Sequence, residues 1–451
     1  MRTKPVFREK RLNEMLQQLR RDIKTNVYAP DTYLPSEKVL ANQFQVSTNS
    51  IAKALDILEK EGLVQKIHRV GTKVVKKETV HFAVHVNLYR DASLEQILDA
   101  FHEEHPRIQI IPLPLPDAYT TVTMSDLLTA GRFDVVMMDQ VHYKNIQENG
   151  LVSLLEPVEA NPDIYPFLTD NLQIDQTNYV APISFSPVIL CYNKTHFQEA
   201  GLQEPHSGWT WPDLLRHSDL LCKPGERFGI YCNFQSLYNR LPAFLFQNKV
   251  TPGAANAPCT FELDEIMSTY QFCREFMETK SVMSSLVNEK MAHELFRQGK
   301  LSILVTTYYM LNEFKDSDIS YDITPLPFFH EPRTLVIWQG LSIYRKSSAL
   351  DAARKFVSFF TSEKAQRIIR TQTLTIPALS TVKPIEHPES LNVPSRYHLY
   401  QEITHSFRFL KNVTHSLKTI DVIQQQMLFY SSRTKSEEEV RSEIEQALMS
   451  E

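Results

Sequence analysis

The stretch Leu34 to Leu55, LPSEKVLANQFQVSTNSIAKAL, constrains this chain more than any other. It reads as two short helices joined by a tight turn. Ser36 suits an N-cap, because its hydroxyl can take an orphan backbone N–H. Leu40 and Phe44 then share one face at helical spacing. Gln45 and Val46 fall in the turn, and Ser47 is a second N-cap. Ile51, Leu55 and Leu58 give the following helix its apolar face, while Thr48, Asn49, Ser50 and Lys53 lie opposite. Short polar side chains and a cation at the start of a helix are what reading a DNA major groove requires.

The flanks extend the pattern. Leu12, Leu16, Leu19 and Ile23 mark one face of a preceding helix, with Arg20, Arg21 and Lys24 near its end, where cations suit the helix dipole. After the pair come Gly62-Leu63-Val64 and then Arg69-Val70-Gly71-Thr72, which suggest a two-stranded wing. Residues 8 to 76 resemble the winged helix-turn-helix of GntR-type bacterial transcription regulators, on the ordered series LPSE, VS, EGL and GT. The resemblance implies DNA contact from Ser36, Lys38, Ser47, Thr48, Asn49, Ser50 and Lys53, and from the wing residues His68, Arg69, Gly71, Thr72 and Lys73. The chain departs from the family pattern in several places. Thr48 and Ala52 stand where Arg is frequent, Lys38 where Arg is usual, Gln45 where Gly is common in the turn, and Arg69 in place of the first wing Gly.

Charge supports a division of labour. Residues 1 to 78 hold 16 Lys and Arg against 9 Asp and Glu, a net of +7; since the whole chain is −5, the remainder carries −12. A basic head on an acidic body points to phosphate contact by the head alone. One such head covers a half-site, so a homodimer on double-stranded operator DNA is expected.

At 451 residues the chain needs two or three units, and no apolar run is long enough to span a bilayer. The N-terminus lacks the apolar stretch of a signal peptide, so a cytoplasmic protein is expected. Five cysteines without Cys-x-x-Cys spacing argue against a disulfide framework and a zinc site. His102 and His105 stand apart from other ligand types. No metal and no cofactor are expected. Nucleophile-elbow, Walker, dinucleotide and zinc-protease motifs are all missing, which leaves little basis for an enzyme.

From Thr79 the chain alternates strands and helices, which predicts a mostly parallel sheet with helices on both faces. Ligands of such sheets bind beyond the strand ends, which singles out Tyr89, Arg90, Tyr119 and Asp139. The ordered segments LEQILDAFHEEHPRIQI, AGRFDVVMMD, ENGLVSLLEPV, YVAPISFSPVILCYNKTHFQEAGL, GWTWPDLL, LFRQGKLSILVTTYY, YDITPLP, LDAARKFVSFFTSEKAQ and TIPALS resemble the family-1 extracellular solute-binding proteins, the maltose-binding type. The expected fold is an α+β winged helix-turn-helix DNA-binding domain (1–78) followed by a two-lobed α/β periplasmic-binding-protein-like domain (79–451). The resemblance puts lobe 1 at about 79–187 and 328–385, and lobe 2 at about 194–320 and 386–451. It puts hinge crossings near Val188–Asn193 and Tyr321–Pro327. It also implies a sugar or oligosaccharide effector held by Tyr89, Arg90, Tyr119, Asp139, Ser184, Tyr192, Tyr308, Tyr309 and Trp338, with Phe185, Asn233 and Tyr238 as further candidates. Trp338 is expected in a loop with Gln339 and Gly340. Trp209 and Trp211, flanking a Thr210/Asp213 capping pattern, read as structural staples. Helices sharing Tyr397, Tyr400, Ile403 and Phe407, and then Ile420, Ile423, Met427 and Tyr430, are expected to close the chain. The combined expectation is a repressor relieved by its effector; the alternative is a solute receptor of an ABC transporter, or a regulator of a non-sugar ligand.

Overall fold

The computed structural model describes residues 4–115, 121–234, 238–248, 262–284, 287–382, 390–413 and 416–449. The head opens with α1 (Lys4–Lys24), followed by α2 (Glu37–Phe44) and α3 (Thr48–Lys60). Ser36 and Ser47 cap α2 and α3, accepting the N–H groups of Val39 and Ser50. The turn between them needs a left-handed residue, and Gln45 supplies it at φ 50°, ψ 46°. Strands β1 (Val64–Ile67) and β2 (Gly71–Val74) pair antiparallel as the wing, with Ile67 opposite Gly71. Met15, Leu16, Leu19 and Ile23 of α1 join Leu40, Ile51, Leu55, Leu58 and Val74 in one small core.

The body begins at β3 (Glu78–His85), followed by α4 (Asn87–Asp91), α5 (Leu94–Glu104), β4 (Ile108–Leu115), α6 (Thr121–Ala130), β5 (Val135–Asp139), α7 (Gln140–Glu148), β6 (Leu155–Glu156) and α8 (Pro166–Leu172). Strands β4, β3 and β5 are parallel. The 13-residue β7 (Ala181–Asn193) is buried along its whole length and leaves this lobe for the next. Lobe 2 follows with α9 (Lys194–Glu199), α10 (Trp211–Leu221), β8 (Phe228–Tyr231), α11 (Leu241–Asn248), α12 (Leu263–Glu278), α13 (Glu289–Arg297), β9 (Leu301–Thr307), α14 (Tyr308–Leu311) and β10 (Tyr321–Thr324). The chain then returns through β11 (Thr334–Tyr344), α15 (Leu350–Phe360), α16 (Glu363–Gln372) and β12 (Ile376–Pro377), and ends with α17 (Leu399–Glu402), β13 (Phe407–Arg408), α18 (Leu417–Ser431) and α19 (Glu437–Met449).

The first half of β7 pairs with β11 in lobe 1, and its second half with β9 and β10 in lobe 2. One sheet path, β4-β3-β5-β11-β7-β9-β8, therefore runs through both lobes. Both β11 and β7 are antiparallel to their lobe 1 neighbours, so the sheet is mixed rather than mostly parallel. A strand shared between lobes brings its return partner back in the opposite sense. Crossings fall at Pro187–Val188 and between Thr324 and Thr334, because β10 (Tyr321–Thr324) pairs wholly within lobe 2. Trp338, Gln339 and Gly340 lie inside β11 rather than in a loop. Gly340 is required there: a Cβ would stand 2.6 Å from Val180 Cγ2 and 2.9 Å from the Ala181 carbonyl. Of the Tyr397–Phe407 segment only Leu399–Glu402 forms an α-helical turn, and Phe407 is in β13. Its aromatic rings pack with residues of both lobes, whereas α18 and α19 join the lobe 2 core. Among the described residues no helix is long and apolar enough to cross a membrane.

Candidate functional site

In the head, Lys38, Thr48, Asn49, Lys53, His68, Arg69 and Gly71 are exposed around the start of α3 and the wing. Three hydroxyls of this face have structural work. Ser36 caps α2, and Ser47 both caps α3 and sits 2.9 Å from the Ser50 hydroxyl. Thr72 is buried and its carbonyl accepts the Leu34 N–H, so it ties the wing to the helices instead of presenting a side chain. Lys73 is paired with Asp31 at 2.9 Å; each favours the other's charged form. Arg69 takes a left-handed φ of 63° at the wing turn. The exposed side chains of this face without such structural work are thus Thr48, Asn49 and Lys53 on α3, Lys38 on α2, and His68 and Arg69 on the wing tip. Arg20 is not part of it, because its Nε donates to Glu61 at 2.9 Å.

In the body, the strand ends of lobe 1 bring several predicted residues together. Arg90 of α4 donates to Asp91 at 2.7 Å and reaches across to Glu313 beyond α14 of lobe 2. Asp91 is 2% exposed; burial pushes its carboxyl up to about 6 against the pull of Arg90 and a hydrogen bond from Gln339. Ser184 on β7 lies 3.1 Å from the Tyr309 hydroxyl and donates toward Gln339 at 3.4 Å. Both Asp91 and Asp139 reach Tyr309 electrostatically. Asp139 caps α7, accepting from the Val141 and His142 N–H groups at 2.9 Å each. Burial opposes its ionisation, yet the His142 ring 2.9 Å away and the backbone bonds hold it down at about 2. Gln140 donates across to Asn239 at 3.2 Å, and its own Oε1 is buried with no protein partner. The two lobes therefore meet through Arg90–Glu313 and Gln140–Asn239.

Other predicted residues are elsewhere. Tyr192 is buried in the lobe 2 core, where its hydroxyl donates to Glu204 at 2.8 Å. Tyr308 is fully buried and donates to the Tyr397 carbonyl at 3.0 Å. Trp338 is 3% exposed and packs edge-on against Tyr143. Phe185 is buried among Tyr165, Phe167 and Tyr400. Tyr238 bonds Asp421 of α18, and Asn233 is half-buried. Tyr89 is half-buried on α4 beside Arg90. Tyr119 lies outside the described residues. Trp211 is fully buried with its Nε1 donating to Gln247 at 2.7 Å, Trp209 is buried and stacked on His217, and Thr210 and Asp213 form a reciprocal capping box, so both tryptophans pack in the lobe 2 core. Sequence reading did not single out Asp91, Gln140, His142, Asn239 and Glu313; Asp91, Gln140 and Asn239 adjoin predicted residues, but His142 and Glu313 carry no motif. A cavity of about 280 Å³ adjoins Glu313, lined by His293, Met291 and Arg297. A groove of about 870 Å³ between Glu156, Arg354 and Phe359 shares no residue with the interlobe cluster.

A capped helix-turn-helix with a wing, in series with two lobes joined through a shared strand, defines a two-lobed binding protein carrying a DNA-binding head. The chain belongs to the bacterial extracellular solute-binding protein family, which matches residues 86–367, and its residues 13–74 match the bacterial regulatory proteins of the gntR family. It is 25% identical over 312 residues to a mannitol-binding protein of Pseudomonas aeruginosa, covering 61% of this chain and 67% of that one. Similar solved structures include a substrate-binding protein from Listeria monocytogenes in complex with cycloalternan (TM-score 0.70, 16% identity, 83% of this chain and 98% of that one). They also include an acarbose-binding receptor of Streptomyces glaucescens (TM-score 0.71, 17% identity, 82% and 97%).

Proposed function

We propose that this chain is a cytoplasmic transcription regulator whose head binds double-stranded operator DNA as one half of a homodimer, and whose body closes on a sugar or oligosaccharide to release it. The observation that carries this reading is one chain joining an exposed Asn49/Lys53 helix face to a body whose lobes meet through polar side chains. Arg90, Asp91, Asp139, Ser184, Gln339 and the orphan Gln140 Oε1 are donors and acceptors suited to a polyol, where each hydroxyl both gives and takes a hydrogen bond. The mannitol, cycloalternan and acarbose ligands of the similar proteins support that class. Tyr309, rather than Trp338 or Tyr308, hydrogen-bonds this cluster, its hydroxyl 3.1 Å from Ser184.

For a signal to pass, the effector must prefer the closed lobes; equal affinity for both states shifts nothing. The test selects bound duplexes from a random pool, then titrates the winner with protein in mannitol, maltose or galactooligosaccharide. We expect a two-fold symmetric site and an effector that weakens binding by about 5–150-fold, the range of ordinary coupling energies. Absence of any enriched sequence refutes the regulator. An affinity that rises with effector reverses the sign and makes the ligand a co-repressor.

A further inference from the structure

Four buried arginines invite comparison. Arg227 holds Glu199 at 3.0 Å, Arg240 holds Glu289 at 2.7 Å, and Arg333 holds Glu331 at 2.6 Å. Arg370, in the last turn of α16, is 2% exposed and has no carboxylate within ion-pair distance among the described residues. Its Nε and Nη1 are buried without a hydrogen-bond partner. The guanidinium lies 4.5 Å from the Tyr397 ring centroid, and Nη2 lies 3.5 Å from both ring nitrogens of His398, which is exposed. Tyr165 and Tyr308 are near enough to feel its charge. All these neighbours are neutral rings.

A guanidinium cannot escape burial by losing its proton, as a lysine or histidine does. An aromatic face attracts it but does not neutralise it, and a buried charge without a counter-charge is costly. We propose that Arg370, with His398 and the Tyr397 ring, forms a second binding site, for a small oxyanion: inorganic phosphate, or the phosphate or carboxylate group of a metabolite. Guanidinium geometry matches such oxygens through paired N–H donors. The anion approaches from the exposed His398 side.

The site is separate from the interlobe cluster, since none of Arg90, Asp91, Asp139, Ser184, Tyr309 or Gln339 bonds Arg370 or His398. It still touches both lobes. Tyr308 of lobe 2 donates to the Tyr397 carbonyl, and Tyr397 donates to the Thr375 carbonyl of lobe 1 at 3.1 Å. An anion that takes the place of the His398 ring against Arg370 Nη2, with the ring swung out to its edge, holds Tyr397 in this bridge, and so biases closure independently of the cleft ligand.

The test is thermal unfolding of the full chain in Tris chloride, titrated with sodium phosphate or sodium acetate against sodium chloride of equal ionic strength. A ligand that binds only the native state raises the melting temperature by mass action. We expect a saturable rise with phosphate or acetate beyond that with chloride, and the anion acting at lower concentration names the source. Arg370→Met should melt higher than wild type without added anion and ignore both anions. His398→Ala should need several-fold more anion. If Arg370→Met fails to fold, Arg370→Lys, which keeps the charge and loses the fork, should need about tenfold more. No saturable rise in wild type, or an equal rise in Arg370→Met, overturns the proposal.

Discussion

Asp91 offers a sharp test of the cleft. It is 2% exposed, and burial pushes its carboxyl up to about 6, whereas an ordinary aspartate titrates near 3.8. Between these values the folded state binds the extra proton. The stability gained from the protonated form is therefore complete below the unfolded value and is lost as pH rises through about 6. A gap of roughly two units, at 1.36 kcal/mol per unit, amounts to about 3 kcal/mol. Asp139 has the opposite sign: held at about 2, its contribution is present above the unfolded value and fades only as pH falls toward 2, outside the window. Asp91→Asn keeps the shape and removes the titration. Urea unfolding of the full chain, followed by tryptophan fluorescence from pH 4 to pH 8, should show the variant gaining on wild type by about 3 kcal/mol across pH 4–7 and level thereafter. A stability difference that does not change with pH refutes the buried, protonatable carboxyl. A difference running the other way means that Arg90 outweighs burial.

Gln45 and Arg69 both occupy left-handed backbone at φ 50° and 63°, so Gln45→Gly and Arg69→Gly should each stabilise the head by about 0.5–1 kcal/mol in urea melts. Asn49→Ala should relax base preference at one operator position and cost about 1–3 kcal/mol of specific binding, read by anisotropy on wild-type and base-substituted duplexes. Lys53→Ala should weaken all duplexes alike and reduce the salt slope by about one, if it meets phosphate. Trp338→Ala should cost about 3–5 kcal/mol of stability, because the ring is buried against Tyr143, and calorimetry should find the loss without effector present.

The head was legible because its signals are local. Ser36 and Ser47 cap the helices they precede, and the alternation of apolar positions in α1 and α3 is the face each buries. Even the departures from the family pattern were informative: Gln45 and Arg69 replace glycines, and both sit where glycine is favoured. Lys73 and Thr72 were less legible, since an ion pair with Asp31 and burial under the Tyr33–Leu34 segment depend on chain that is distant in sequence. In the body the resemblance put a crossing near Val188–Asn193, and β7 changes partners just before it, at Pro187–Val188, but side-chain direction was not legible. Tyr308 and Tyr309 are adjacent, yet one donates into the Tyr397 segment and the other toward Ser184. A short helix turns successive side chains by about 100°, so the choice between core and cleft rests on packing. Glu313 and Asn239 became visible only when lobe 2 was placed against lobe 1.

The head is not on a loose tether, and this limits how closure can act on DNA. Only three residues separate β2 from β3, and the Glu78 N–H donates to the Arg107 carbonyl at 2.9 Å. Gly62, at the turn leaving α3, takes φ +65°, and a Cβ there would stand 2.7 Å from Pro106 Cβ in the turn between α5 and β4. The turn leaving α3 thus rests on lobe 1 at Pro106, and the three-residue link leads straight into a strand of lobe 1, so lobe 1 carries the head as one piece. Closing lobe 2 then leaves the head unchanged within a protomer. On the dimer proposed above, closure would alter operator binding only by changing how the two heads are spaced. Effector should accordingly leave the affinity for an isolated half-site within about twofold, while weakening the full palindrome within the 5–150-fold expected of ordinary coupling energies. Anisotropy on both duplexes, with and without the effector, decides it: an equal loss on the half-site would place the switch inside the head and break this chain of reasoning at the Gly62–Pro106 contact.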